Sequence, residues 1–168
     1  MQEKERMLKV EVRFPRVEVN YDLPFEEAVA AGGYDEIGEF ITEGRFSTQR
    51  NGIQVVEILV LLFKCHYDLL KLGRLREETA EMNCHLAELR DLLAFGARRF
   101  DLRKTFMNPG FIENGIVAHG FEWVSNFLGN VPALEHEDKK RILRTVPSMF
   151  GIPTGRETRF LVVRNFSQ

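Results

Sequence analysis

Cys65-His66 and Cys84-His85 form the one pairing in this 168-residue chain whose residue types suit a metal, because thiolate and imidazole are the ligands zinc prefers. Their spacing fits no common zinc pattern. Neighbouring residues on a strand also point to opposite faces, so buried cysteine beside ordinary histidine is the simpler reading. His119 and His136 stand in loop-like contexts and complete no ligand set. Nucleophilic chemistry needs Ser or Cys beside a base, yet Ser47, Ser125 and Ser148 have no motif around them and the GxSxG elbow is missing. No Walker loop or GxGxxG occurs. The stretch Gly151 to Arg156 is Gly-bounded but lacks the Lys-Ser/Thr that would hold phosphate and magnesium, and reads as a turn before a strand. Paired carboxylates at Glu26-Glu27, Asp35-Glu36 and Glu77-Glu78 stand at expected helix starts, where the macrodipole favours them without chemistry. No catalytic residue, metal or cofactor is assigned, and the balance leans away from an enzyme.

Arginines offer a second kind of chemistry. Arg141, Arg144, Arg156, Arg159 and Arg164, with Phe150, Phe160 and Phe166 between them, have the composition of a surface that tracks phosphates and stacks bases. Alternation through residues 159–166 favours another reading, in which the phenylalanines are core and the arginines their solvated opposite face. Nucleic acid is thus a disfavoured partner. The candidate ligand- or partner-binding residues are Arg141, Arg144, Arg156, Arg159 and Trp123.

Those residues need a scaffold, and composition bounds it. An apolar content of 44%, a charged content of 29% and a net charge of -2 are those of an ordinary globular protein. Residues 1–97 hold 12 basic and 18 acidic side chains, against 11 and 7 in residues 98–168. The C-terminal part is therefore the basic one. Two cysteines make no disulfide framework, no leader of basic start and apolar middle is visible, and the longest apolar run falls short of the ~18 residues that span a bilayer. The expectation is a cytoplasmic protein with no membrane segment.

The elements follow from periodicity. Residues 7–21 alternate as a strand whose parity changes at Pro15-Arg16, the mark of a bulge or edge strand. Asp22 is expected to cap a helix over residues 24–31, and residues 35–42 to add a helical turn. After a loop at 47–52, residues 53–63 read as a strand buried on both faces, chosen over a helix on their Val and Ile content and the Asn51-Gly52 turn before them. The main amphipathic helix is expected over about 75–99, either continuous or broken near 83–85 with Asn83 as a second cap. Its stripe is Leu86, Leu89, Leu92, Leu93 and Phe95, and Glu88, Arg90, Asp91 and Arg98 fall on the other side. Beyond residue 100, turn signals separate short candidate strands at 115–119, 121–127, 141–146 and 158–165, while 135–140 reads as a solvated charge run.

Val17 to Asp22, Phe25 to Gly32, Leu86 to Leu89, Leu92 to Ala97, Ile116 to Ala118, Val131-Pro132 and Arg159 to Arg164 together resemble a group of small uncharacterised bacterial proteins. The likeness spans most of the chain. It implies a compact α+β unit ending on a sheet strand, with no activity to carry over. The sequence departs from that group at Met82 to His85 and at residues 147–155.

The expectation is a single α+β domain over residues 1–168, with sub-units 7–66 and 75–168. Its mixed or antiparallel sheet is packed by the main helix, and the C-terminal strand lies inside the sheet. The leading function is a non-enzymatic binding or interaction module, whose partner is unknown and is either another protein or a second copy. An enzyme with a site in loops 106–155 is the alternative, and a weak nucleic-acid binder through the C-terminal arginines is the third.

Overall fold

The computed structural model describes residues 8–63, 72–98, 115–118, 120, 123–125, 128–137, 139–147 and 159–166. Among them the fold is α+β, built on a mixed sheet of nine strands ordered β1-β3-β9-β5-β7-β8-β2, with β4 also paired to β9 and β6 to β7. The strands are β1 (Leu8–Asn20), β2 (Glu36–Ile37), β3 (Ile53–Phe63), β4 (His85–Leu86), β5 (Ile116–Val117), β6 (Trp123–Ser125), β7 (Leu128–Glu137), β8 (Lys140–Pro147) and β9 (Arg159–Asn165). The helices are α1 (Phe25–Ala31), α2 (Leu72–Glu81) and α3 (Leu89–Ala97). β5 runs parallel to β9 and β2 parallel to β8, while the other pairings are antiparallel.

The alternating apolar residues of β1 keep facing the core because the ladder to β3 slips between Phe14 and Val17, where Pro15 withholds a donor. A second slip lies between Val10 and Val12. β9 is an interior strand. It pairs with β3 from Val56↔Asn165 to Leu62↔Arg159, and with β4 and β5 on its other side. Leu161 and Val163 enter one apolar cluster with Val56, Ile58 and Val60, and Phe160 and Val162 enter another with Leu59 and Leu61. Both faces of β9 are therefore covered, as four consecutive apolar residues require.

The expected long helix is two helices on opposite faces of the sheet. Leu75 of α2 packs in the cluster of Leu59, Leu61 and Phe160, whereas Leu89, Leu92, Leu93 and Phe95 of α3 pack in that of Val17, Val19 and Ile58. β4 carries the chain between the two faces, hydrogen-bonded along β9. Asn83 does not cap α3. It takes φ 54 just after α2, where the N–H groups of Asn83 and Cys84 return to the carbonyls of Ala80 and Thr79. That is a left-handed ending to which asparagine is suited. The N-cap of α3 is Glu88, whose N–H donates to Asp91 Oδ2 at 2.8 Å.

Other expectations are corrected. Asp22 does not cap α1, whose N-cap is Pro24; the Asp22 carboxylate accepts from Gly52 N–H at 2.9 Å and ties the end of β1 to the start of β3. Residues 35–42 hold the short strand β2 in place of a helical turn, because Asp35 N–H and Gly38 N–H donate to the β8 carbonyls of Arg141 and Leu143. Within the stretch 135–140, Glu135 to Glu137 end β7 and Lys140 begins β8, with Glu135 only 3% exposed. β7 runs through Gly129, Asn130 and Pro132 without a break. Pro132 fits because its carbonyl faces Ala118 N–H, so its missing donor falls on that side too, just past the end of the short β5.

Candidate functional site

The strongest concentration of polar side chains lies where the end of β1, the 47–52 loop, β4 and the start of α3 meet. Asp91, expected on the solvated side of the helix, is 0% exposed. Tyr21 donates its hydroxyl to Asp91 Oδ1 at 2.6 Å, and Arg50 Nη1 donates to the Tyr21 oxygen at 2.8 Å while standing 3.4 Å from both Asp91 oxygens. The Arg50 guanidinium also lies 5.5 Å from the centre of the Tyr21 ring. Thr48 donates to Glu88 Oε2 at 2.6 Å and accepts from Arg50 N–H at 3.1 Å, so the loop is clamped to the helix.

Burial raises the Asp91 carboxyl above its ordinary value, and Arg50, Tyr21 and the Glu88 N–H restrain that rise. The Tyr21 hydroxyl is raised by burial and by the Asp91 charge. His85 borders the cluster; burial first and Arg50 second lower it from 6.5 to about 4, so its imidazole is neutral at pH 7. Its Nε2 is buried with no hydrogen-bond partner among the described residues.

Arg90 was also expected on the solvated side, but it is 6% exposed. It donates to Leu23 O and to Glu43 Oε1, both at 2.7 Å, and lies 5.5 Å from the Phe25 ring centre. These bonds fasten the entry to α1 onto α3.

The arginines singled out by composition are dispersed. Arg141 donates to Gly32 O at 3.2 Å and Gly96 O at 2.8 Å, joining the C-terminal ends of α1 and α3, and it lies 5.6 Å from the Tyr34 ring centre. Arg144 pairs with Glu135, whose carboxyl burial raises and Arg144 lowers. Arg159 is 2% exposed, not solvated, and donates from Nε to Glu11 at 2.7 Å. Arg164 reaches Glu57 at 2.8 Å and Met82 O at 2.9 Å. Trp123 lies in β6, opposite Asn130, with its side chain outside the described residues, as is all of Arg156. Phe160 is buried while Phe166 is 50% exposed, so the two present no common stacking surface.

Cys84 is a buried thiol donating to Met82 O at 3.4 Å, raised mainly by burial. Cys65 and His66 lie outside the described residues, as do 106–114 and 148–155 of the stretch expected to hold an enzyme site, while the described part between them carries β5 to β8. Among the described residues no three His, Cys, Asp or Glu side chains are grouped to hold a metal, and no helix is long and apolar enough to cross a membrane.

A second feature lies on the other side of the sheet. Ile53, Val55 and Phe166 are 62%, 43% and 50% exposed, whereas Ile58 to Leu61 on the same strand are 0% exposed. The β3–β9 register, continued one step past Val56↔Asn165, sets Val55 beside Phe166, and Arg16 completes the groove they line. No family model, curated protein or solved structure matches this chain.

The patch corrects the expectation that residues 53–63 are buried on both faces, because Ile53 and Val55 at the start of β3 stand exposed and burial sets in only from Val56. The sequence held no sign of the Tyr21–Arg50–Asp91 cluster. Those three residues come from segments separated by 29 and 41 positions, and each is unremarkable in its own stretch.

Proposed function

We propose that this chain is a non-enzymatic interaction module that binds a protein partner through the exposed end of its sheet. The observation that carries the reading is the contiguous apolar strip of Ile53, Val55 and Phe166, bordered by Arg16 and Glu18 on β1. Scattered apolar residues on a surface need no explanation, but a joined patch with a charged rim is the usual form of a binding surface. The polar cluster at α3 favours the same reading. Tyr21, Arg50 and Asp91 bond to one another, which suits a rigid support better than a site that must exchange bonds with a substrate.

The test is a double substitution, Ile53→Ser with Phe166→Ser, at positions exposed enough to leave the fold intact. Its thermal transition should match that of the parent chain. Crosslinking in cells should then recover a specific protein partner, or a second copy, with the parent and lose it with the variant. The same partner recovered at the same yield with the variant would disprove this surface.

A further inference from the structure

His85 is placed where a proton is poorly received. β4 is two residues long, and it lies between α2 on one face of the sheet and α3 on the other, docked on β9 by the pairs His85↔Val163 and Leu86↔Val162. The imidazole shares a face with Val163, which belongs to the apolar cluster under α3. The charged and titratable groups around it are Arg50 from the loop, Glu88 at the start of α3, and beyond them Asp91 and Tyr21. Among the described residues Glu88 alone favours an imidazolium directly, and its carboxylate already accepts from Thr48. Arg50 disfavours one, and so does the positive end of α3.

We propose that His85 is an acid-sensitive latch: neutral, it lets residues 82–88 close onto β9 and Arg50, and charged, it holds that segment open. Opening separates Glu88 from Thr48 and takes β4 off β9, so the connection between the two helical faces loosens while the β1–β3–β9 ladder stays formed. The imidazole regains water on opening, where its ordinary value is 6.5 against about 4 when closed. A group whose folded value is depressed stabilises the closed form above the open-state value and loses that contribution as pH falls. Linkage then limits the increase in opening between pH 7 and pH 5 to roughly 20-fold.

Amide hydrogen exchange of the whole chain at the two pH values, corrected for intrinsic rates, reads this directly. Protection of residues 84–88 should fall by up to that factor at pH 5, while residues 58–61 of β3 keep theirs. In His85→Gln, which cannot take a proton, the fall at 84–88 should vanish. An equal fall in the variant, a fall shared by β3, or no fall in the parent would overturn the latch. NMR titration of the His85 ring in the parent chain gives a second reading that needs no variant: titration well below 6.5 supports the latch, and titration near 6.5 overturns it.

Discussion

Replacing Arg50 by Met isolates the charge that makes a buried Asp91 tolerable. Among the described residues Arg50 is the only cation paired with Asp91, and methionine keeps an unbranched side chain of similar reach without the charge. Removing one side of a buried pair costs about 3–5 kcal/mol. The Arg50 side chain is 22% exposed, which screens part of that attraction, so the loss at pH 7 should be about 2–3 kcal/mol. The pH dependence has a defined sign. Asp91 is already raised above 3.8, and without Arg50 it rises further. A raised acid contributes stability that is full below its unfolded value and is lost as pH climbs through its folded value, so the penalty of Arg50→Met is larger at pH 7 than at pH 5. Urea unfolding midpoints at both values, measured in a His85→Gln background to remove the neighbouring titration, give the two losses. Equal losses, or a loss at pH 7 below about 0.5 kcal/mol, would show that Arg50 does not hold the Asp91 charge.

Arg90→Ala should cost about 2–4 kcal/mol, comparable with Leu92→Ala, because it strips Leu23 O of its donor and empties the contact with Phe25; thermal unfolding of the two variants side by side checks this, and a loss near zero for Arg90 alone would return it to the solvent side. Tyr34 carries a buried hydroxyl with no hydrogen-bond partner among the described residues, pushed up to about 12 by burial, and a Cβ on Gly96 would lie 2.0 Å from that oxygen. Tyr34→Phe should therefore be neutral or stabilising by up to about 1 kcal/mol, and Gly96→Ala destabilising in the parent but less so in the Tyr34→Phe background. Additive effects in that cycle would mean the hydroxyl and Gly96 do not meet.

The parts of the fold legible in the sequence are those fixed by neighbours in the chain. Pro15 and the parity change of β1, the apolar run of residues 58–63, the α3 stripe from Leu89 to Phe95 and the four buried residues of β9 each declare themselves within about a dozen positions, whereas Leu86, expected on that same stripe, lies in β4 with the opposite apolar cluster. Arg90 and Asp91 did not, because what makes their burial tolerable comes from Leu23, Glu43, Tyr21 and Arg50, all distant in sequence. β7 was hidden by Gly129, Asn130 and Pro132, residues that usually end strands and here lie where a short neighbour makes few demands on the backbone. The arginine group misled in the opposite way. Closeness in sequence suggested a common surface, but Arg141, Arg144, Arg159 and Arg164 face four different partners.

The place of β9 also sets a timetable for synthesis. β3 is finished at residue 63, but the strand that covers its second edge begins only at residue 159. At the ~5–20 residues per second of a ribosome, the two strands are made roughly 5–20 s apart. During that interval β1 can pair with β3 on one side, while Ile58 to Leu61 present an open, wholly apolar edge on the other. Nascent chains emerging from neighbouring ribosomes on one message would carry the same edge at the same time. A holdase that shields β3 until β9 arrives is therefore expected to raise the yield of folded chain.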